Sequence, residues 1–166
     1  MTLSNASVEI VGNRVYKHFL DKEVAKIELL WYKDVPWATP ELLDYSDMTI
    51  VTELLPVASE DENWRPVKET LNLTLRLHEN NIHHRDVHAA NLVRGSDGLP
   101  RFIDWETAIY FESEHSYDLV GVHSEVPMPD VHLEDGPQWW DRPERNRHSL
   151  GEWFRVPLKE AFAMIS

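Results

Sequence analysis

Apolar and polar residues change their period several times along the chain. In "VEIVGNRVYKHFL", residues 8–20, Val8, Ile10, Val15 and Phe19 lend β character to both sides of a Gly-Asn pair. That pattern predicts two strands joined by a tight turn, with Lys17 inside the second. From Asp21 to Lys33 the period lengthens: Val24, Ile27, Leu30 and Trp31 recur at helical spacing, and Asp21 suits the N-cap. Two prolines in "DVPWATPELLDY" break this helix and lead into a strand near 41–45. "MTIVTELL", residues 48–55, is a second β-rich run, and "PVASEDENWRP" after it reads as a linker.

A longer helix is predicted over "PVKETLNLTLRLHEN", residues 66–80, with Pro66 in its first turn. Leu71 and Leu75 form one row and Leu73 and Leu77 another, so this helix is buried on more than one side. An irregular loop follows. "LVRGSDGLPRFIDW" then has the form of a strand, a "GSDG" turn and a strand. Beyond Tyr110, "SYDLVGVHSEV" predicts a short helix, prolines at 127, 129, 137 and 143 mark loops, and "HSLGEWFRVPLKEAFAMI" closes the chain as a helical segment. The order β-β-α-β-β, then helix, loop, hairpin and helices is that of an α+β protein.

Composition narrows the choices. The 166 residues are one domain's worth, and 42% hydrophobic content with 7 Trp suffices for a core. Without cysteine, no disulfide, thiolate metal site or thiol nucleophile exists, which suits a reducing compartment. The N-terminus "MTLSNASVEIVGN" lacks the basic and apolar regions of a secretory signal, and no apolar run is long enough to span a membrane. The expectation is a cytoplasmic protein. Its net charge of −13 repels phosphate backbones, which disfavours nucleic acid as a partner.

The densest chemistry lies in "HHRDVHAANLV", residues 83–93, and "FIDWE", residues 102–106. Two carboxylates, Asp86 and Asp104, and the amide of Asn91 are hard oxygen donors suited to Mg²⁺. Phosphoryl transfer needs that metal on the phosphate oxygens, a carboxylate near the acceptor hydroxyl and a cation on the phosphates that stay behind. Asp86, Asn91, Asp104 and Lys17 offer one group for each task. His78, His83, His84 and His88 read as packed or solvated side chains rather than a zinc site.

"HRDVHAAN" resembles the catalytic loop of the protein-kinase superfamily, and "IDWE" stands where that family has its Asp-Phe-Gly segment. The Asp-Trp-Glu form is similar to that of small-molecule kinases such as choline and aminoglycoside kinases. "RVYKHF" resembles the strand bearing the nucleotide lysine, and "MTIVTELLP" the strand and hinge between two lobes. The resemblance runs from about residue 8 to 121 in the family's order. It implies a minimal bilobal domain, with a β-rich lobe at about 1–55 and a truncated helical lobe at 56–166. ATP and Mg²⁺ are the implied cofactors, and a hydroxyl of a protein or small molecule the acceptor. Asp86 would be the catalytic base, Asn91 and Asp104 the metal ligands, and Lys17 the contact to the α- and β-phosphates. Lys17's acidic partner is Glu23, favoured by helix pattern, or Glu28. Backbone groups around Glu53 and Leu54 would meet the adenine. His84 and Arg85 would brace the loop, and Asp118 either resembles an aspartate that holds it from a later helix or is a plain N-cap.

The chain departs from that family in three ways. Gly12 is the lone glycine of the N-terminal half, where a glycine-rich loop is usual. Thirteen residues separate Asp104 from Asp118, too few for a long activation segment. The helical lobe is short, and a Pro- and Trp-rich tail with Trp139 and Trp140 stands in its place. A pseudokinase that keeps the fold as a binding module is the alternative these departures favour.

Overall fold

The opening hairpin turns on Gly12. The computed structural model, which describes residues 6–112 together with Ser116 and Asp118, pairs β1 (Ala6–Val11) with β2 (Arg14–Phe19) antiparallel. Gly12 takes φ 61 while Asn13 stays outside the left-handed region, as a two-residue turn with glycine first requires. β2 also pairs with β4 (Thr49–Glu53), which pairs with β3 (Leu42–Tyr45), completing a four-stranded antiparallel sheet in the order β1-β2-β4-β3.

Between β2 and β3 lies α1 (Lys22–Asp34). Asp21 caps it by accepting from the Glu23 amide at 2.8 Å. Its buried face differs from the one the apolar spacing predicts. Ala25, Glu28, Trp31 and Tyr32 are buried, whereas Ile27 and Leu30 are 50% and 46% exposed. The helix is rotated because a carboxylate, Glu28, points inward to meet a lysine on the sheet. Apolar periodicity cannot register such a residue.

α2 (Val67–Glu79) buries Leu71, Leu73 and Leu77 and half-buries Leu75, so both leucine rows face protein. Pro66 occupies the N-cap, one position before the predicted first turn. The segment before it is tied down rather than free. It forms a short 3-10 turn at Ala58–Glu60, Val57 bridges to Val93, and the Arg94 amide donates to the Pro56 carbonyl at 2.9 Å.

After α2 the chain makes β5 (Ile82–His83), a 3-10 turn at Ala89–Asn91, β6 (Leu92–Arg94), β7 (Pro100–Phe102) and β8 (Ile109–Tyr110). β5 pairs with β8, and β6 with β7. One apolar cluster runs from Phe19 and Ile50 beneath the sheet, through Trp31 of α1, to Leu77, Phe102 and Trp105. The Trp31 and Trp105 rings stack at 5.8 Å, joining α1 to the segment after β7. The result is a mixed α/β architecture with an antiparallel sheet and two helices among the described residues. None of those helices is long and apolar enough to cross a membrane. Apart from Ser116 and Asp118, the helix expected at 116–126 lies outside the described residues, as do the one expected at 148–165 and Trp139 and Trp140.

Candidate active site

Lys17 stands in β2 opposite Ile50 of β4. Its Nζ lies 2.8 Å from Oε1 and from Oε2 of Glu28, and 3.4 Å from Oδ1 of Asp104. Glu28 is fully buried, and its Oε1 also accepts from the Trp105 amide at 2.9 Å. One carboxylate therefore ties α1 both to the sheet and to the residue after Asp104. Burial works against the charge on Lys17. Glu28 and Asp104 outweigh it and hold the ammonium above the ordinary lysine value. Glu23, the partner favoured by helix pattern, is exposed in the first turn of α1, so Glu28 takes that place.

The loop after β5 is braced from below. Asp118 accepts from the amides of His84 and Arg85 at 2.8 and 2.7 Å. Arg85 Nε donates to the Thr107 carbonyl at 2.6 Å, and the Thr107 hydroxyl donates to the His84 carbonyl at 3.2 Å. His84 is fully buried, with Nε2 2.9 Å from the Ile103 carbonyl and Nδ1 3.2 Å from the Asp86 amide. A carbonyl on one side and an N–H on the other require the proton on Nε2. Arg85 adopts φ 71, a left-handed conformation costing a non-glycine residue about 1–2 kcal/mol. The two amide bonds to Asp118 hold that turn.

The turn presents Asp86 and Asn91 to each other. Asn91 Nδ2 donates to Asp86 Oδ2 and to the Asp86 carbonyl, both at 2.9 Å. His88 Nε2 lies 3.4 Å from Asp86 Oδ1. Burial pushes the Asp86 carboxyl up, but the hydrogen bond and charge of His88, with Asn91, hold it below the ordinary aspartate value. Asp104 reaches the same region because β6 and β7 pair Leu92 with Phe102, and the Ile103 amide donates to the Asn91 carbonyl at 2.9 Å. Asp104 too is left-handed, at φ 62. Two of the three non-glycine residues in that conformation among the described residues thus belong to these loops.

Glu106 joins the group. Burial first, then the charge of Asp104, raises its carboxyl above the ordinary glutamate value, with Lys17 pulling the other way and Glu28 and Asp86 adding to the rise.

Known structures share this architecture. Three solved structures of WbdD, a bifunctional kinase-methyltransferase, align with 64% of this chain at a TM-score of 0.50 and 17% identity. One is of medium resolution, one of high resolution and one of the monomeric protein, and the matches cover 30%, 31% and 33% of their chains. This chain therefore spans about a third of their length. At that identity the likeness is one of fold: the described residues have an architecture that occurs in part of a kinase-methyltransferase. No family model and no curated protein sequence matches the chain.

The donor chemistry bears on Mg²⁺. Among the described residues no three His, Cys, Asp or Glu side chains form a metal cage. Asn91 commits its Nδ2 to Asp86, which leaves Oδ1 as its oxygen donor, and the loop of Asn91 is tied to that of the partly exposed Asp104 through the Ile103 amide. A few oxygen donors fit Mg²⁺, which takes one or two protein ligands and completes its shell with phosphate and water oxygens.

The edge expected to meet adenine is partly committed. The Leu54 amide donates to the Asn13 carbonyl at 2.9 Å and the Glu53 amide to the Glu41 carbonyl at 3.1 Å. Neither N–H is available to a base. The Leu55 amide, one residue on, has no partner among the described residues. Sequence reasoning did not single out Glu106 or the tie from Glu28 to Trp105. A second carboxylate two residues after Asp104 was the available signal for the first; none existed for the second.

Proposed function

We propose that the chain is an ATP- and Mg²⁺-dependent phosphotransferase of the protein-kinase-like kind, passing the γ-phosphoryl group to a hydroxyl of a protein or a small molecule. One observation supports this: Lys17, Glu28 and Asp104 form one cluster, Asp86 and Asn91 another, and the loops holding them are joined through Ile103 and Asn91. The shared fold with part of WbdD supports it. Residues 1–55 would form the nucleotide lobe and 56–166 the lobe carrying the catalytic loop.

In this mechanism Lys17 neutralises the phosphates that stay with the leaving nucleotide, and Glu28 keeps its ammonium aimed. Asn91 and Asp104 would hold Mg²⁺, which supplies charge neutralisation at the transferring phosphate. Asp86, kept ionised by its neighbours, orients the acceptor hydroxyl and takes its proton. Arg85, His84 and Asp118 keep the loop in its strained turn.

A thermal-shift titration with ATP and Mg²⁺, paired with turnover of labelled ATP, tests this. A ligand that binds the folded state raises the melting temperature by mass action, about 2.7 kcal/mol at a hundred times Kd. Asp104→Asn should abolish the metal-dependent shift. Asp86→Asn should keep the shift and lose about 10²–10⁴ of the turnover. A second reading, a pseudokinase, is favoured by the closed β1–β2 turn, whose Asn13 carbonyl takes the Leu54 amide. No shift at millimolar nucleotide would select that reading and reject the first.

A further inference from the structure

We infer that His88 is a positioning residue for Asp86 and, through it, for the acceptor hydroxyl; this rests on the phosphotransferase reading above. The Asp86 carboxylate is held from two sides. Oδ2 accepts from Asn91 Nδ2 at 2.9 Å, and Oδ1 lies 3.4 Å from His88 Nε2. Asn91 Nδ2 is 3.2 Å from the same His88 nitrogen, so the three side chains close a triangle. A carboxylate bonded through one oxygen swings easily about its last torsion, whose energy profile is broad. Contact on the second oxygen removes that freedom.

Nothing else in the loop calls for histidine here. The backbone is fixed without its side chain: the Asn91 amide donates to the His88 carbonyl, and Asn91 Nδ2 to the Asp86 carbonyl, both at 2.9 Å. His88 has φ −154, extended backbone that any residue adopts. Packing does not demand it either, since the side chain is 30% exposed, in contact with the 27% exposed Asp86. An acceptor that reaches the Asp86 carboxylate meets the imidazole beside it. His88 Nε2 lies 3.4 Å from Oδ1, within ion-pair distance, and with both Asn91 Nδ2 protons committed to Asp86, a proton on Nε2 makes that contact attractive. In the transfer step the acceptor oxygen bonds to the γ-phosphorus as the bond to the bridging oxygen of ADP breaks, and the acceptor proton passes to Asp86. His88 acts on that step only by fixing the direction of the Asp86 lone pair.

The test compares His88→Ala with His88→Gln, whose amide keeps an N–H donor at similar reach. Two readouts are taken: solvent exchange of the Asn91 side-chain amide protons by NMR, and ATP hydrolysis with water as acceptor. In His88→Ala the amide protons should exchange several-fold faster. Turnover should fall about ten- to a hundredfold, with KM for Mg-ATP within about twofold, because only orientation is lost. His88→Gln should restore most of both, and both variants should melt with the parent. Unchanged exchange in His88→Ala, a raised KM at constant kcat, or a glutamine variant as poor as alanine would overturn the inference. Absence of hydrolysis in the parent itself would reject the phosphotransferase reading, and the exchange measurement would still decide whether His88 clamps Asp86.

Discussion

Replacing Glu28 by alanine removes a buried carboxylate that serves two elements at once. Its oxygens hold the Lys17 ammonium at 2.8 Å, and Oε1 also accepts from the Trp105 amide at 2.9 Å. Loss of the side chain leaves Lys17, 18% exposed, with Asp104 at 3.4 Å as its remaining ion pair, and leaves the Trp105 amide without its acceptor. Breaking one partner of a buried pair costs about 3–5 kcal/mol. That is a large share of the roughly 5–15 kcal/mol holding a domain together. Glu28→Gln keeps the volume and an acceptor for Trp105 but loses the charge and turns an N–H donor toward Lys17 Nζ, so about 1.5–3 kcal/mol is expected, the scale of one charge-assisted hydrogen bond. Urea unfolding reads both. With a slope of about 2 kcal/mol per molar, 4 kcal/mol lowers the midpoint by about 2 M. A cycle with Lys17→Met should show coupling, the double variant losing less than the sum of the singles. A midpoint for Glu28→Ala within about 0.3 M of the parent would refute the pairing and the link from α1 to the Asp104 segment.

Other perturbations follow from the same contacts. Asp118→Asn turns an N–H donor toward the backbone amides of His84 or Arg85, so it should cost about 1.5–3 kcal/mol and speed hydrogen exchange at Arg85; parent-like stability would contradict the bracing role. His83 is buried, and burial holds its imidazole below the ordinary value of 6.5 despite Asp118 and the Phe111 carbonyl. The unfolded chain thus binds that proton first, so stability should be level above about pH 6.5 and fall as pH drops below it. His83→Gln should flatten this dependence of melting temperature on pH, and an unchanged slope would exclude His83 as its source. Leu77, with no exposed surface, should cost about 2–5 kcal/mol as Leu77→Ala by calorimetry, whereas a loss under 1 kcal/mol would mean that α2 does not pack as described.

Much of the framework is legible in the sequence because it is local. Gly12 sets the hairpin through its own φ, Asp21 caps α1 by accepting from an amide two residues on, and the two leucine rows of α2 mark a helix buried on two sides. Asp86 and Asn91 are five apart and meet within one loop. These features depend on neighbours along the chain, which apolar period, turn chemistry and capping report directly. The candidate site's electrostatics depend on contacts across the fold. Glu28 rather than Glu23 reaches Lys17 across 11 residues, Asp104 comes to Lys17 across 87, and Trp105 to Glu28 across 77. The helix pattern pointed to Glu23 because it counts apolar neighbours and treats every carboxylate as solvent-facing. Only the packing of α1 on the sheet turns Glu28 inward, where the amide of Trp105 and the ammonium of Lys17 offset the cost of burying its charge.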